Sequence, residues 1–178
     1  MPEDNKTLPE LFEFCPKCGE HNPSIGANPL RCSVCGFHYY FNPALAVGAI
    51  LVDEDDRVLF LVRDHDPGKG MLGLPGGFVE PGETVEEACI RETREEVNLD
   101  VVEMTYVGSF PNRYSLNGII YNVTDVFMRI TVAATDSIQT QVGEVADWQW
   151  LLPTEDVLAR MAFPSNARGI RLYLANRG

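Results

Sequence analysis

The sequence predicts an α/β domain preceded by a small four-cysteine zinc ribbon. Three features carry that reading: two Cys-x-x-Cys pairs near the start, apolar strand-like runs from Ala44 onward, and an acidic amphipathic helix over 84–98. At 178 residues, 45% hydrophobic and 22% charged, the chain falls in the globular range and suits one ordinary domain with an appendage. Fourteen Lys and Arg against twenty-six Asp and Glu give a net charge of -12. That balance lacks the cationic footprint of a non-specific nucleic-acid binder. No apolar run approaches the roughly 20 residues of a membrane-spanning helix. Met1 to Lys6 is polar and acidic, unlike a signal peptide. The expected compartment is the cytoplasm, with neither membrane nor nucleic acid as a partner. Disulfides are rare there, so the five cysteines need another role.

Cys15-Pro-Lys-Cys18 and Cys32-Ser-Val-Cys35 are separated by thirteen residues, and a glycine, Gly19 or Gly36, follows each pair. Two such knuckles supply four thiolates to one tetrahedral zinc. A redox Cys-x-x-Cys would stand alone in a βαβ setting, which is missing here. His21 and His38 are alternative ligands, but beside four cysteines they read as surface or packing residues. The texture changes near Phe41 to Pro43, so residues 1–42 are read as tail and ribbon and 43–178 as the main domain. In that domain Ala44–Val52 and Val58–Val62 read as strands joined by an acidic hairpin tip. Val101–Ser109, Val123–Val132 and Asp147–Leu152 read as further strands. Pro153–Met161 and Ser165–Leu174 read as helices.

Residues 77–99, GFVEPGETVEEACIRETREEVNL, contain seven glutamates and two arginines, so -5 of the net charge lies there. Thr84 and Glu87 form a capping box, and Asn98 tolerates the left-handed conformation of a C-cap. With Ala88 at zero and about 100° per residue, Val85, Cys89, Thr93, Val97 and Ile90 fall at roughly 60, 100, 140, 180 and 200°. That arc is expected to face the core. Glu92 at about 40° and Glu96 at about 80° lie inside it, Glu95 near 340° lies at its edge, and Glu87 and Arg94 point away. Like charges at these spacings oppose a helix, and partial burial adds to the cost unless a cation compensates. Clustered carboxylate oxygens suit a hard divalent cation, Mg²⁺ or Mn²⁺. Gly76 and Gly77 precede the helix where a backbone must approach closely, and the Gly76 carbonyl is a candidate extra metal ligand.

The 77–99 segment resembles the Nudix box, G-x5-E-x7-R-E-U-x-E-E-x-G-U with U aliphatic. Gly77, Glu83, Arg91, Glu92, Glu95, Glu96 and Leu99 match in register. Thr93 stands for an aliphatic residue and Asn98 for glycine, and neither departure touches an acid. The resemblance implies an α/β/α sandwich around a mixed sheet that hydrolyses a nucleoside diphosphate linked to another moiety. It makes Glu92, Glu95 and Glu96 the metal-binding and base residues, and Arg91 with Glu83 a structural salt bridge. One further acid outside the box is expected, and Glu144, shortly before Trp148, takes that place.

A four-cysteine ribbon ahead of such a domain resembles the NADH pyrophosphatase group and a related group of FAD and ADP-ribose pyrophosphatases. The S-Q-P-W-P-F-P-x-S element of the first group is here Ser109-Phe110-Pro111-Asn112-Arg113-Tyr114-Ser115, without the Gln and Trp. That departure argues against specificity for reduced nicotinamide, while leaving a dinucleotide-type substrate. Phe110 and Tyr114 are candidates to stack on a base, and Arg113 or Arg63 to hold a phosphate. A pyrophosphatase for ADP-ribose, FAD or NAD(H) is the first expectation. A triphosphate clean-up enzyme and a non-catalytic nucleotide-binding regulator are the alternatives. A homodimer using the ribbon is the expectation for assembly. Cys89 reads as a small core residue.

Overall fold

A computed structural model of the protein describes residues 5–135 and 138–177. Met1–Asp4, part of the polar N-terminal stretch, lie outside the described residues. The chain forms two compact units, one of residues 1–43 with 113–122, the other of 44–112 with 123–178. No helix among the described residues is long and apolar enough to cross a membrane.

In the first unit, β1 (Lys6–Thr7) and a 3-10 turn (Leu8–Leu11) precede two short antiparallel strands, β2 (Leu30–Arg31) and β3 (His38–Tyr39). The two cysteine knuckles repeat one geometry. The Gly19 amide donates to the Cys15 carbonyl and the Gly36 amide to the Cys32 carbonyl, at 2.9 and 3.1 Å. Both glycines hold positive φ, at 76° and 69°, a conformation that costs a side chain dearly. Phe41 is buried beneath the edges of Phe12 and Tyr39. His21 and His38 pack edgewise or tilted on Phe14 and Tyr40, as packing residues.

The second unit is the expected α/β/α sandwich around a mixed sheet. Strand β4 (Ala44–Leu51) pairs in parallel with β8 (Ile119–Val132), which β7 (Val101–Leu116) joins on its other side. A second, antiparallel set runs β6 (Leu72–Gly73), β5 (Val58–Arg63), β9 (Val145–Leu151). Period-two alternation sends strand side chains to opposite faces. Val47, Ala49, Leu59, Leu61, Met128 and Ile130 therefore meet Ala88, Cys89 and Val97 of α1 (Val85–Val97) in one core. Ile50, Val58, Phe60 and Phe127 meet Ala167 and Ile170 of α3 (Pro164–Ala175) in the other. Trp148 and Trp150 both pack against the α1 side. The second edge of β4 is taken by the loop before α1. Val47 and Ala49 amides donate to the Gly77 and Pro75 carbonyls, and the Val79 amide to the Leu45 carbonyl.

Three expectations are corrected. The helix expected over Pro153–Met161 is one turn, α2 (Glu155–Leu158), capped by the Thr154 hydroxyl. Its continuation is claimed by a bridge to β6, in which the Leu72 amide takes the Arg160 carbonyl and the Ala162 amide takes the Leu72 carbonyl. The β7–β8 hairpin runs on past Ser109 to a turn with Asn117 and Gly118 at φ 50° and 75°. An Asn-Gly pair between two strand patterns is a strong short-range hairpin signal and marks this turn in the sequence. Pro111 is accommodated because β7 pairs on one side only among the described residues, where a missing amide need not break a ladder. Ile90, placed with the inward arc of α1, is 43% exposed. The buried arc instead runs from Ala88 to Val97 and stops short of it.

Helix α1 otherwise forms as its punctuation dictates. The Thr84 side chain accepts from the Glu87 amide, the Glu87 carboxylate accepts from the Thr84 amide, and Asn98 ends the helix at φ 56°, ψ 40°. A left-handed non-glycine residue costs roughly 1–2 kcal/mol, less for Asn than for Ala. Asn98→Ala is therefore expected to lower stability by about 1 kcal/mol and Asn98→Gly to leave it unchanged or higher, read by urea unfolding.

Candidate active site

The site forms where the Leu74–Phe78 loop lies against the inward face of α1. Gly76 has φ 147°, and a Cβ there would stand 2.0 Å from the Val47 carbonyl oxygen. A Cβ on Gly77 would stand 2.4 Å from Glu92 Oε1. Gly76 is thus required by its close approach to β4, whereas a side chain at 77 would have to displace the Glu92 carboxylate. The Gly76 amide donates to Glu96 Oε2 at 2.7 Å.

Glu92 and Glu96 lie on the inward side, as the helical spacing predicts. Burial pushes the Glu96 carboxyl up to about 8; the negative charges of Glu92 and Glu144 add to this and the Gly76 amide opposes it. Burial also raises the Glu92 carboxyl, partly offset by Arg91. Glu95 stands at the rim with half its side chain exposed. Arg91 gathers this side of the helix. Its guanidinium binds Glu83 through two hydrogen bonds, 2.8 and 3.0 Å, and also reaches Glu92 at 2.8 Å, Glu95 at 3.1 Å and the Phe78 carbonyl at 3.0 Å. The bidentate contact holds the Glu83 carboxyl below the usual glutamate range.

Glu144, on the turn before β9, is exposed, and its charge acts on both Glu92 and Glu96. Arg63 acts on Glu96 in the opposite sense. The Arg63 guanidinium is set by the Pro67 carbonyl at 2.9 Å, by His65 Nε2 at 3.0 Å and by the Phe163 ring 5.0 Å away. Glu83, Arg91, Glu92, Glu95, Glu96, Gly76, Glu144 and Arg63 therefore share one neighbourhood of the second unit. Phe110 belongs to the same unit but packs against the α3-side core, under Arg168 at 4.5 Å and beside Phe127. Arg113 and Tyr114 fall in the first unit, with the ribbon.

The donor set fits a hard divalent cation. Two carboxylates, Glu92 and Glu96, are half-buried, and the negative charge of Glu144 disfavours the ionised form of both. An oxygen-seeking cation removes that penalty. The cysteines form a separate, soft donor set. The four Sγ atoms of Cys15, Cys18, Cys32 and Cys35 lie within 4.8 Å of one another. Backbone amides of Cys35 and Val34 hold the Cys32 thiol down to about 7. Cys89 is buried among the α1-side core residues, its thiol pushed up to about 11 by burial. Thr93, also buried, donates its hydroxyl to the Cys89 carbonyl.

The family model for the NUDIX domain matches residues 42–173. The chain belongs to the NUDIX domain family. It is 46% identical over 79 residues to the ADP-ribose pyrophosphatase of Methanocaldococcus jannaschii, covering 43% of this chain and 46% of that protein. It is 32% identical over 178 residues to the NAD-capped RNA hydrolase NudC of Pseudomonas aeruginosa, covering 92% of this chain and 56% of the relative. The chain thus spans about half the length of these relatives. Among solved structures it is similar to a NUDIX hydrolase from Nitrosomonas europaea, with TM-score 0.63, 25% identity, and 93% and 92% of the two chains covered. It is also similar to the NUDIX domain of Shewanella oneidensis NrtR complexed with ADP ribose, with TM-score 0.59, 25% identity, and 75% and 89% covered.

Sequence reasoning missed the residues that fix this NUDIX site from outside the box. The Phe78 carbonyl on Arg91, His65 on Arg63 and Gln141 beside Glu144 carry no spacing signal that a linear pattern reveals.

The raised Glu96 carboxyl gives a signed expectation. Its folded value lies above the ordinary 4.5, so its contribution to stability is complete below 4.5 and is lost as pH rises through about 8. In divalent-free buffer the melting temperature of the Glu96→Gln variant relative to wild type is therefore expected to rise across that window. A flat difference across the window contradicts the burial of Glu96.

Proposed function

We propose that this chain hydrolyses a diphosphate linkage in a nucleoside diphosphate derivative of the ADP-ribose, FAD or NAD(H) class, releasing a nucleoside monophosphate. The observation that carries this reading is the pair Glu92 and Glu96, half-buried one turn apart beside Gly76 and Gly77 with Glu144 acting on both. The names of the relatives support the substrate class, one an ADP-ribose pyrophosphatase and one an NAD-capped RNA hydrolase. The NrtR NUDIX domain with ADP ribose supports it as well. The relatives' names also bring an NAD-capped RNA 5′ end into the substrate panel, beside the free dinucleotides expected from the sequence.

Glu92, Glu95, Glu96 and Glu144, with the Gly76 carbonyl, would hold Mg²⁺ or Mn²⁺. Such an ion supplies charge neutralisation at the phosphates and a more acidic water. The chain's own groups do the rest. A carboxylate of the cluster accepts the proton of the attacking water, and the water oxygen bonds to phosphorus as the anhydride oxygen leaves with its electron pair. Arg91 keeps Glu92 and Glu95 oriented and ties the helix to Glu83 and the Phe78 carbonyl. Arg63, held rigid by Pro67, His65 and Phe163, presents a cation to a phosphate on the Glu96 side. The enzyme is read as cytoplasmic, and residues 43–178 as the catalytic domain.

The test is turnover with Mg²⁺ and with Mn²⁺ on ADP-ribose, FAD, NAD, NADH, NAD-capped RNA, diadenosine polyphosphates and nucleoside triphosphates. AMP release from a dinucleotide-type substrate, reduced roughly 10²-fold or more in Glu96→Gln, is expected. Turnover confined to triphosphates overturns the substrate class, and binding without turnover overturns the activity.

The four cysteines, in the same reading, hold one structural Zn²⁺ in the ribbon of residues 1–42. Zinc binding contributes folding free energy to small modules. Protein purified under reducing conditions without chelators is expected to carry one zinc per chain. Its removal is expected to speed amide hydrogen exchange over 12–41. Absence of zinc by elemental analysis overturns this assignment.

A further inference from the structure

We propose that Gln141 is a positioning residue that fixes Glu144 against the C-terminus of the acidic helix; this rests on Glu144 belonging to the site as read above. A helix leaves its last carbonyls without intrahelical partners. Here the Gln141 amide takes the Glu96 carbonyl at 3.3 Å, and the Gln139 amide takes that of Val97 at 3.2 Å. The same residue then closes the turn that carries Glu144. Its carbonyl accepts from the Glu144 and Val145 amides, at 3.4 and 3.1 Å, with Gly143 at φ 93° making the bend. Its side chain completes the link, because Gln141 Nε2 donates to Glu144 Oε1 at 3.3 Å. One residue thus joins the helix that bears Glu92 and Glu96 to the carboxylate that comes from outside it.

The other half of the amide separates this role from simple packing. Gln141 Oε1 is buried and has no hydrogen-bond partner among the described residues. A buried acceptor left unpaired costs stability, and a leucine of similar size would avoid that cost. The orientation that leaves Oε1 unpaired is the one that aims Nε2 at Glu144. Gln141 therefore spends stability to hold a carboxylate, which is the behaviour of a site residue and not of a core residue.

The test uses the full chain with Mn²⁺ as probe, its affinity read by electron paramagnetic resonance of the free ion. Melting temperature is read in divalent-free buffer, and kcat and KM on whichever nucleotide is turned over. Gln141→Leu is expected to weaken Mn²⁺ binding by about 10- to 100-fold, the range for groups that orient metal ligands. The metal-free melting temperature is expected to stay level or rise. Combined with Glu144→Gln, it is expected to add little further loss. Gln141→Met, which keeps the length but lacks the Nε2 donor, is expected to weaken Mn²⁺ binding as well, and serves if the leucine variant does not fold. Unchanged Mn²⁺ affinity overturns the proposal and leaves the activity standing. Loss of metal-free stability in step with affinity overturns it in favour of a structural role. Weakened Mn²⁺ binding in a protein that turns over no nucleotide supports the placement of Gln141 and overturns the proposed activity. A wild-type chain that binds no Mn²⁺ overturns both.

Discussion

Holding two carboxylates half-buried on the inward face of one helix is the constraint on which the rest of this structure depends. Glu92 and Glu96 sit one turn apart on α1, among Ala88, Cys89 and Val97, where an ionised group is penalised twice, by burial and by its neighbour. An apolar residue at either place would make a better helix and a better core. The surroundings meet this cost with few tools. The Gly76 amide gives Glu96 a donor, Arg91 gives Glu92 a cation, and the missing side chain of Gly77 leaves room for the Glu92 carboxylate. None of these neutralises both acids, which leaves the cluster short of positive charge and receptive to a divalent cation.

The need to hold those groups explains the local architecture. The loop before α1 has to be close to the helix and rigid. It is made rigid by pairing with the free edge of β4 through Val47, Ala49 and Leu45, so a stretch with too little regular pattern to read as a strand behaves as one. Arg91 then ties the helix to that loop twice, through Glu83 and through the Phe78 carbonyl. At the other end, Asn98 closes the helix while residues 139 and 141 take up its last carbonyls. The acidic helix is therefore fixed by contacts at both ends, and its side chains can be costly because its termini are not.

Much of this was legible in the residues. The capping box at Thr84 and Glu87, the left-handed Asn98 and the inward pair Glu92 and Glu96 follow from local rules of spacing, which need no knowledge of the partner surface. The four cysteines are legible for a similar reason, since a knuckle is closed by hydrogen bonds within a few residues. Where the reading failed, a distant element decided. Ile90 falls outside the buried arc because the sheet covers α1 only from Ala88 to Val97, and a wheel cannot tell where that cover stops. The helix expected over Pro153–Met161 shrinks to one turn because β6, a two-residue strand without its own signal, competes for the Arg160 carbonyl. The strand expected over Val101–Ser109 runs on through Pro111, because a proline is tolerated where a strand pairs on one side.

The charge balance of the whole chain brings these threads together. A protein of net charge -12 that concentrates five of those negative charges in one segment is poorly built to attract a diphosphate. Basic residues near the site do not reverse this, because Arg91 is consumed by Glu83, Glu92 and Glu95. Arg63 is the cation in the neighbourhood not bound to a carboxylate among the described residues; a carbonyl, an imidazole and a ring hold it instead, so its charge remains available to an anion. A single arginine cannot offset four glutamates and two phosphates. In the proposed function the acids are therefore not an obstacle that the substrate meets but the means of recruiting divalent charge, and the segment that looks most hostile to an anionic substrate is the one that would make its binding possible.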